Sequence, residues 1–235
     1  MTLVDAAADL FLGARCPGCD RPGRSLCPAC GAQLAAGQVR FVSRDPAPPG
    51  LPATVAAGDY VGVVPRLVSR YKDEALLRLT VPLAARLVRA IACLLAALGR
   101  PGSAYHLVPI PSTASAVRAR GIEHTLLLAR RASRDLRRTT GLPVPVHATL
   151  RTAGRVLDQV GLDAAHRWAN KADHLVLRRA PPKQSIPILL DDVTTTGASL
   201  AAGARALARA GHPVLGAVVV AATVKRLPIR GSASS

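Results

Sequence analysis

The sequence predicts an α/β fold in which helices flank a parallel sheet, together with a small metal-binding module near the N-terminus. Residues 186–190 form a short apolar run typical of a buried strand, and a helical pattern follows from Ala198 to Gly211. Residues 213–224 are a second buried strand by the same criterion. A strand, a helix and a strand in succession favour parallel pairing with a right-handed crossover. Two C-x-x-C pairs predict the metal module.

Length and composition limit the size and the partners of the protein. Its 235 residues suffice for one sizeable domain and a small appendage, and 49% hydrophobic residues predict a buried core. The chain has 31 Lys and Arg against 14 Asp and Glu, a formal charge of +17, which favours anionic partners such as nucleic acid or phosphorylated metabolites. Nearly all of these cations are arginines in an alanine-rich chain. Genome composition can produce that bias, so the charge alone does not establish nucleic-acid binding.

No segment of the sequence predicts secretion or membrane insertion. Two aspartates interrupt the N-terminal apolar residues, and no basic segment precedes them. The longest apolar run, residues 81–98, contains Arg86 and Arg89, which fall on one side of a helical wheel with Arg78. We therefore expect an amphipathic surface helix at this run and a cytoplasmic protein.

Residues 1–36 are predicted to form an N-terminal helix, over 1–15, and a zinc ribbon. Each cysteine pair has the spacing of a metal knuckle, and four thiolates on two tight turns favour a tetrahedral structural zinc site. A disulfide or a redox dithiol is the alternative, which a cytoplasmic setting disfavours. We expect loss of the metal to lower stability with little change at a ligand site elsewhere. The predicted zinc ligands are Cys16, Cys19, Cys27 and Cys30.

The rest of the chain is predicted as a linker, residues 37–53, and one domain, residues 54–235. The linker contains four prolines. Residues 151–170 are polar, contain two glycines and suit a loop. Elsewhere in the domain the apolar pattern predicts strands over 54–64, 105–110, 144–150 and 175–177, and helices that end at Leu98 and that cover 123–138.

The segment that is richest in chemical information begins where the strand at residues 186–190 ends. Asp191 and Asp192 follow directly, and then come three threonines and Gly197 at the start of a helix. First-turn amides and the helix dipole attract a phosphate, and threonine hydroxyls add donors. Two carboxylates beside them can accept hydrogen bonds from vicinal sugar hydroxyls or lie near a metal ion. The pattern predicts a site for a phosphorylated sugar, and the alternative is a threonine-rich strand-to-helix connection.

The predicted helix over residues 123–138 is strongly basic. At 100° per residue its arginines fall within one arc of about 120°, and Leu128, Ala129, Ala132 and Leu136 lie opposite. This face is either a solvated surface or a stripe for single-stranded DNA. Aromatic residues, which stack on bases, make up only 3% of the chain and disfavour the DNA stripe. The arginines are Arg130, Arg131, Arg134, Arg137 and Arg138.

Asp191, Asp192 and the Thr-Thr-Thr-Gly turn resemble the phosphoribosyl pyrophosphate (PRPP) fingerprint of the type I phosphoribosyltransferases. The wider order of motifs resembles the ComF family, competence-associated proteins in which a zinc ribbon is fused to a phosphoribosyltransferase domain. One departure is Ile122-Glu123-His124, where that family usually has Phe-Asn-Gln, and it bears on substrate recognition. Besides the cysteine pairs, the resemblance rests on Arg70-Tyr71-Lys72, Val108-Pro109-Ile110-Pro111, Arg120-Gly121, Asp158-Gln159, Arg167 with Asn170, and residues 191–199.

The resemblance implies a type I phosphoribosyltransferase fold that binds PRPP with Mg²⁺, and a role in DNA uptake during natural transformation. It implies that Asp191 and Asp192 hold the ribose and act in catalysis, as phosphoribosyl passes to an unknown acceptor and pyrophosphate is released. It further implies that the phosphates are held by Thr194, Thr195, Thr196, Gly197, Ala198, Ser199, Pro109, Ile110, Lys72, Arg118 and Arg120.

Two functions of different classes are open at this point. The first is an active phosphoribosyltransferase. The second is a non-catalytic DNA-uptake accessory that binds single-stranded DNA or a helicase partner, with PRPP as a regulatory ligand. Contacts with proteins of the competence machinery and self-association into a homo-oligomer are further expectations. His124 and the other five histidines form no recognisable constellation, and we expect them to be structural or on the surface.

Overall fold

The computed structural model describes residues 15–23, 25–153 and 175–223. Within these residues the chain forms an α/β fold, as predicted, with a mostly parallel sheet flanked by helices and a four-cysteine cluster near the N-terminus. The helix predicted at 1–15 lies almost wholly outside the described residues. So do four residues on which the family resemblance partly rests, Asp158, Gln159, Arg167 and Asn170.

The strands form two sheets in the part of the chain that the structure describes. They are β1 (Arg40–Phe41), β2 (Thr54–Ala56), β3 (Ala104–Pro109), β4 (Leu150–Thr152), β5 (Leu175–Leu177), β6 (Ser185–Thr194) and β7 (Gly216–Ala222). The larger sheet has five strands in the order β1-β2-β7-β6-β3, of which only β1 is antiparallel to its neighbour. β4 and β5 form a separate antiparallel pair. The predicted strand at the acidic pair is therefore the second strand from one edge of the sheet.

Helices cover both faces of the larger sheet. Among the described residues they are α1 (Pro28–Ala35), α2 (Val64–Asp73), α3 (Thr80–Leu98), α4 (Ala114–Arg120), α5 (His124–Thr140) and α6 (Ala198–Arg209), with one 3₁₀ turn at Leu77–Leu79. The prediction for the basic helix is confirmed by α5, which ends at Gly141 with a φ of 74°, the left-handed conformation that closes many helices. Its apolar side is buried and Arg130, Arg134, Arg137 and Arg138 are exposed.

The apolar core lies on both sides of the sheet because side chains alternate along each strand. Leu190 faces the side covered by α3 and α5, where it packs in one cluster with Leu87. Leu189 faces the side covered by α6, where it packs with Leu200. Each fully buried leucine stabilises the fold by roughly 1.5–3 kcal/mol relative to an exposed one. Burial on both faces explains why β6 begins as a continuous apolar run.

Two predicted strands are shorter than expected. Of residues 54–64 only β2 is a strand, because the chain turns at Gly58, whose φ is 154°, and then enters α2. Of residues 144–150, Val146 makes one parallel bridge to Leu107 and only the last residue enters a strand. Pro145 in that stretch and Pro143 just before it supply no N–H to a ladder, which limits the pairing.

Residues 37–53, predicted as a linker, contribute to the domain. They contain β1, which pairs with β2 at the edge of the sheet. The Arg44 side chain donates to Thr194 O at 3.0 Å and to Thr223 O at 2.7 Å. These two carbonyls lie at or just beyond the carboxyl ends of β6 and β7. The segment therefore holds together the carboxyl ends of β6 and β7, next to the acidic pair.

The prediction that the arginines of the long apolar helix face solvent is wrong for Arg86. This side chain is only 3% exposed and donates to the main-chain carbonyls of Leu34, Ala57 and Val220. Among the described residues, Leu77–Leu98 is the one helical stretch long and apolar enough to cross a membrane, with a mean hydropathy of 1.9. In this fold the stretch packs against α5 and β7, and core helices pass the same test.

Candidate functional site

The predicted ligand residues meet at the carboxyl ends of β3 and β6, which are neighbours in the sheet. After β3 the chain passes through α4 and α5 and returns beside β3 at Val146, on the side away from β6. There the Leu107 amide donates to Pro145 O, and the His147 amide donates to Leu107 O. After β6 the chain returns to β7 on the opposite side. Connections that leave in opposite directions open a crevice, where ligands of α/β proteins bind. The Ile110 amide donates to Leu190 O at 2.8 Å, so the turn after β3 starts level with the acidic pair.

The turn after β6 presents hydrogen-bond donors to solvent. Thr195 and Thr196 are exposed, as is Ser199 in the first turn of α6. Gly197 caps the helix with a φ of 86°, and the Ala198 amide donates to the Thr196 hydroxyl at 3.3 Å. First-turn amides have no intrahelical acceptor and lie at the positive end of the helix dipole. Thr195 and Thr196 are not packed inward, so the turn can accept an anion, whereas Thr194, predicted as a ligand with them, is buried.

The acidic pair is oriented by main-chain amides. The Asp192 amide donates to Asp191 Oδ1 at 2.8 Å, and the Val193 amide donates to Asp192 Oδ1 at 2.6 Å. Asp192 is only 3% exposed, whereas Asp191 is half-buried. Burial, followed by the charge of Asp192, raises the pKa of Asp191 well above its ordinary value. A pair of interacting carboxyls at the carboxyl end of a strand, one of them with a raised pKa, is typical of functional sites.

Lys72 lies in the last turn of α2 and forms an ion pair with Asp192. Its Nζ lies 2.7 Å from Asp192 Oδ2. Burial lowers the pKa of Lys72, but the attraction of Asp192, with a smaller one from Asp191, outweighs burial and raises the pKa overall. The lysine is therefore charged at neutral pH and fixes one oxygen of Asp192. Its role as a pyrophosphate partner stays a prediction.

Arg118 and Arg120 lie on α4, which begins where the turn after β3 ends. Thr113 caps this helix, and its hydroxyl accepts a hydrogen bond from the Ala116 amide at 3.3 Å. Arg118 is exposed and Arg120 is half-buried. Neither has an ion-pair partner within residues 15–23, 25–153 and 175–223, so both could bind an anion near this turn.

Residues Ile122, Glu123 and His124, which differ from the usual residues of the family that the sequence resembles, have a structural role in this chain. Glu123 Oε1 accepts a hydrogen bond from the Ser112 amide at 3.1 Å and so holds the turn after β3. His124 is 1% exposed, and its carbonyl accepts a hydrogen bond from the Tyr71 hydroxyl at 3.1 Å. Burial, followed by the charge of Arg120, lowers the pKa of His124, which keeps the ring neutral. These residues join α5 to α2 and to the turn.

The four predicted metal ligands lie together. The Sγ atoms of Cys16, Cys19, Cys27 and Cys30 are all within 4.8 Å of one another, and the thiols are free. Cys19 Sγ lies 3.7 Å from Cys27 Sγ, and zinc–sulfur bonds of about 2.3 Å in a tetrahedron place sulfurs roughly 3.8 Å apart. Burial raises the pKa of Cys16, but the amides of Cys27 and Gly18 lower it overall to about 6. The cluster can hold a metal such as zinc.

No protein-family model matches the chain, and no curated protein sequence matches it. The ComF resemblance therefore depends on the residues quoted for it. What the molecule binds has to follow from the crevice and from the cysteine cluster themselves.

Three residues near these two sites were not predicted from sequence. Arg44 binds the Thr194 carbonyl, Leu51 packs on the turn at Gly197, and Asp20 joins the cysteine cluster to α2. An arginine and a leucine in a proline-rich segment, or an aspartate next to a C-x-x-C pair, have no local signature. Only their contacts in the fold reveal them.

Proposed function

We propose that the protein has a type I phosphoribosyltransferase fold of the ComF type, binds PRPP, and transfers its phosphoribosyl group to an acceptor with release of pyrophosphate. The main support is the juxtaposition of an exposed threonine turn, capped by left-handed Gly197, with the pair Asp191 and Asp192 at the crevice between β3 and β6. A ribose phosphate needs hydrogen-bond donors for its phosphate and acceptors for its hydroxyls, and the two must lie within the length of one pentose.

In this proposal the 5′-phosphate lies on the turn from Thr195 to Ser199, and Asp191 and Asp192 accept hydrogen bonds from the ribose hydroxyls. One oxygen of Asp192 is already oriented by a main-chain amide and the other by Lys72. A carboxylate that is fixed before the ligand arrives loses little entropy on binding. A hydroxyl donor or a cation favours the ionised form of Asp191, so binding would lower its raised pKa.

The reaction is a displacement at the anomeric carbon. The bond from this carbon to the pyrophosphate oxygen breaks, its electron pair leaves with pyrophosphate, and a lone pair of the acceptor forms the new bond. Asp191 and Asp192 stabilise the positive charge that develops on the sugar, and Arg118 and Arg120 stabilise the leaving group. The acidic pair offers the oxygen ligands that Mg²⁺ prefers, and Mg²⁺ when bound neutralises the charge of pyrophosphate.

The cysteine cluster is proposed to hold zinc in a structural site. Four thiolates would fill a tetrahedral coordination sphere and leave no open position for a substrate. Thiolate ligands and the sulfur spacing given above favour zinc over Mg²⁺ or Ca²⁺, which take oxygen ligands. Metal content by atomic absorption of the purified protein tests this assignment directly.

Calorimetric titration of PRPP with Mg²⁺ into the wild type, Asp191→Asn and Asp192→Asn tests the site. We expect each carboxamide to weaken binding about tenfold or more, since a hydrogen bond to a charged group contributes roughly 1.5–3 kcal/mol. Asp135→Asn, which removes an acid paired with Arg131 on α5, is the matched control and should bind as the wild type does. A wild type that binds no PRPP, or carboxamides that bind it equally well, would contradict the proposal. Pyrophosphate release with a panel of nucleobases then separates an enzyme from a PRPP sensor.

One observation favours the accessory function as a second candidate. Arg130, Arg134, Arg137 and Arg138 are exposed on α5, and among the described residues only Arg131 of this face pairs with an acid. Such a face can neutralise the phosphates of single-stranded DNA, in which case affinity falls steeply with salt. Replacing Arg130, Arg134 and Arg138 by glutamate should remove both the binding and its salt dependence. Binding that survives this change would exclude the α5 face.

A further inference from the structure

Asp20, which follows Cys19 in the first knuckle, joins the cysteine cluster to α2. Its Oδ1 lies 2.7 Å from Arg70 Nη2, and its Oδ2 lies 2.9 Å from Arg66 Nη1. Arg66 also donates to Gly18 O at 3.3 Å. Arg66 and Arg70 are one helical turn apart, so these contacts all fix the same face of α2.

The cysteine turn sets the position of Asp20. The Asp20 amide donates to Cys16 O at 3.0 Å, and the Cys16 amide donates to Arg21 O at 2.8 Å. Asp20 has a φ of 61°, a left-handed conformation that aspartate and asparagine adopt more readily than other non-glycine residues. Cys16 and Cys19 would both be ligands of a bound metal. A metal at the cluster would therefore hold the turn, and with it the Asp20 carboxylate, in place.

The other end of this connection lies at the ligand site. Lys72 comes two residues after Arg70 on α2, and its Nζ lies 2.7 Å from Asp192 Oδ2. Lys72 lies in the last turn of the helix, which ends at Asp73. A terminal turn frays unless it is held, so the two arginine contacts upstream bear directly on where the ammonium lies.

We propose that Asp20 is a positioning residue of the ribose-phosphate site. By holding Arg66 and Arg70 it sets α2 so that Lys72 keeps Asp192 oriented. The metal module and the ligand site are then coupled. Metal bound at the cluster raises the affinity for the ribose phosphate, and bound ribose phosphate raises the affinity for the metal by the same factor. This inference rests on the proposed function. It replaces the expectation that loss of the metal leaves the ligand site unchanged.

The attachment through Asp20 can be tested apart from the attachment of the whole module. Two arginines of α3 bind the carbonyls of Leu34 and Ala35 at the end of α1, and they hold the module to the domain without using α2. A change at Asp20 therefore weakens the attachment of α2, which keeps only the Arg66 contact with Gly18 O, while the module stays in place.

Asp20→Asn removes the charge but keeps the size and the left-handed turn. Glu74→Gln is the matched control, because Glu74, directly after the end of α2, is another acidic partner of Arg70 at 3.5 Å and lies outside the metal module. Ribose 5-phosphate, titrated by calorimetry without Mg²⁺, is the probe. We expect Asp20→Asn to keep its metal content and to bind this probe roughly fivefold more weakly, whereas Glu74→Gln binds as the wild type does.

A second measurement reports on Lys72 without any ligand. Acetylation of Lys72 is followed by mass spectrometry across the alkaline pH range and is compared with that of exposed Lys183 in the same molecule. An ammonium paired with Asp192 reacts slowly, because only the neutral amine is a nucleophile. We expect Asp20→Asn to raise the labelling rate of Lys72 several-fold and to leave Lys183 unchanged.

Wild-type affinity and wild-type labelling of Lys72 in Asp20→Asn would overturn the inference. An equal loss of affinity in Glu74→Gln would do the same, because the effect would then belong to α2 in general. If the wild type does not bind ribose 5-phosphate, the proposed function fails, and the labelling of Lys72 decides the coupling alone. If Asp20→Asn loses its metal, Arg66→Gln breaks the contact from the helix side and takes its place.

Discussion

Arg86→Leu is expected to lower the free energy of unfolding by about 4 kcal/mol. The guanidinium is buried and donates to three main-chain carbonyls, those of Ala57 at 2.8 Å, Val220 at 3.2 Å and Leu34. Leucine fills part of the volume but offers no donor. Each buried carbonyl left without a partner costs roughly 1–3 kcal/mol, and removal of a buried charge offsets part of this sum. Urea unfolding followed by circular dichroism measures the loss.

Arg89→Leu is the matched control for this prediction. Arg89 lies almost one turn further along α3 and donates to Ala35 O at 2.8 Å and Gly37 O at 2.9 Å, but it is exposed. Water can replace those bonds, so we expect a loss below about 1 kcal/mol. Equal losses in the two leucine variants would mean that water also reaches the carbonyls around Arg86. If Arg86→Leu does not fold, Arg86→Lys, which keeps the charge and one donor group, should have intermediate stability.

The burial of Arg86 could not be predicted from a helical wheel. A wheel groups Arg86 with exposed arginines because it describes one helix in isolation. The space for its guanidinium is created by two glycines from other parts of the chain. A Cβ on Gly58 would lie 2.0 Å from Arg86 Nη2, and one on Gly37 would lie 2.4 Å from the same atom. Neither glycine is close to Arg86 in sequence, so no local pattern indicates that they leave room for it.

The candidate site was more predictable because its parts are contiguous. The strand, the acidic pair, the threonine turn and α6 follow one another within residues 185–209, and each has a local cause in apolar runs, helix caps and left-handed glycine. The long-range ion pairs were not predictable. Asp20 and Arg70 are 50 residues apart, and in a chain with so many arginines an aspartate gives no sign of which one it will bind. The same holds for Lys72 and Asp192.

Gly197→Ala is expected to weaken ribose-phosphate binding about a hundredfold and to lower the free energy of unfolding by about 3 kcal/mol. The φ of Gly197 is 86°, a left-handed conformation that costs alanine about 1–2 kcal/mol. An added Cβ would also lie 2.7 Å from Leu51 Cδ1. Relief of that contact requires the turn to move, and the first-turn amides of α6 would move with it. Calorimetry with ribose 5-phosphate and urea unfolding measure the two effects.

Gly211→Ala separates backbone strain from the steric contact. Gly211 has a similar φ of 81° at the other end of α6, but no atom lies within 4 Å of the position a Cβ would take. We expect this variant to lose about 1–2 kcal/mol of stability and no affinity. If Gly197→Ala binds ribose 5-phosphate as well as Gly211→Ala does, the amides of this turn do not hold the phosphate. Restoration of binding by Leu51→Ala in the Gly197→Ala background would instead show that the proline-rich segment sets the position of the turn at Gly197.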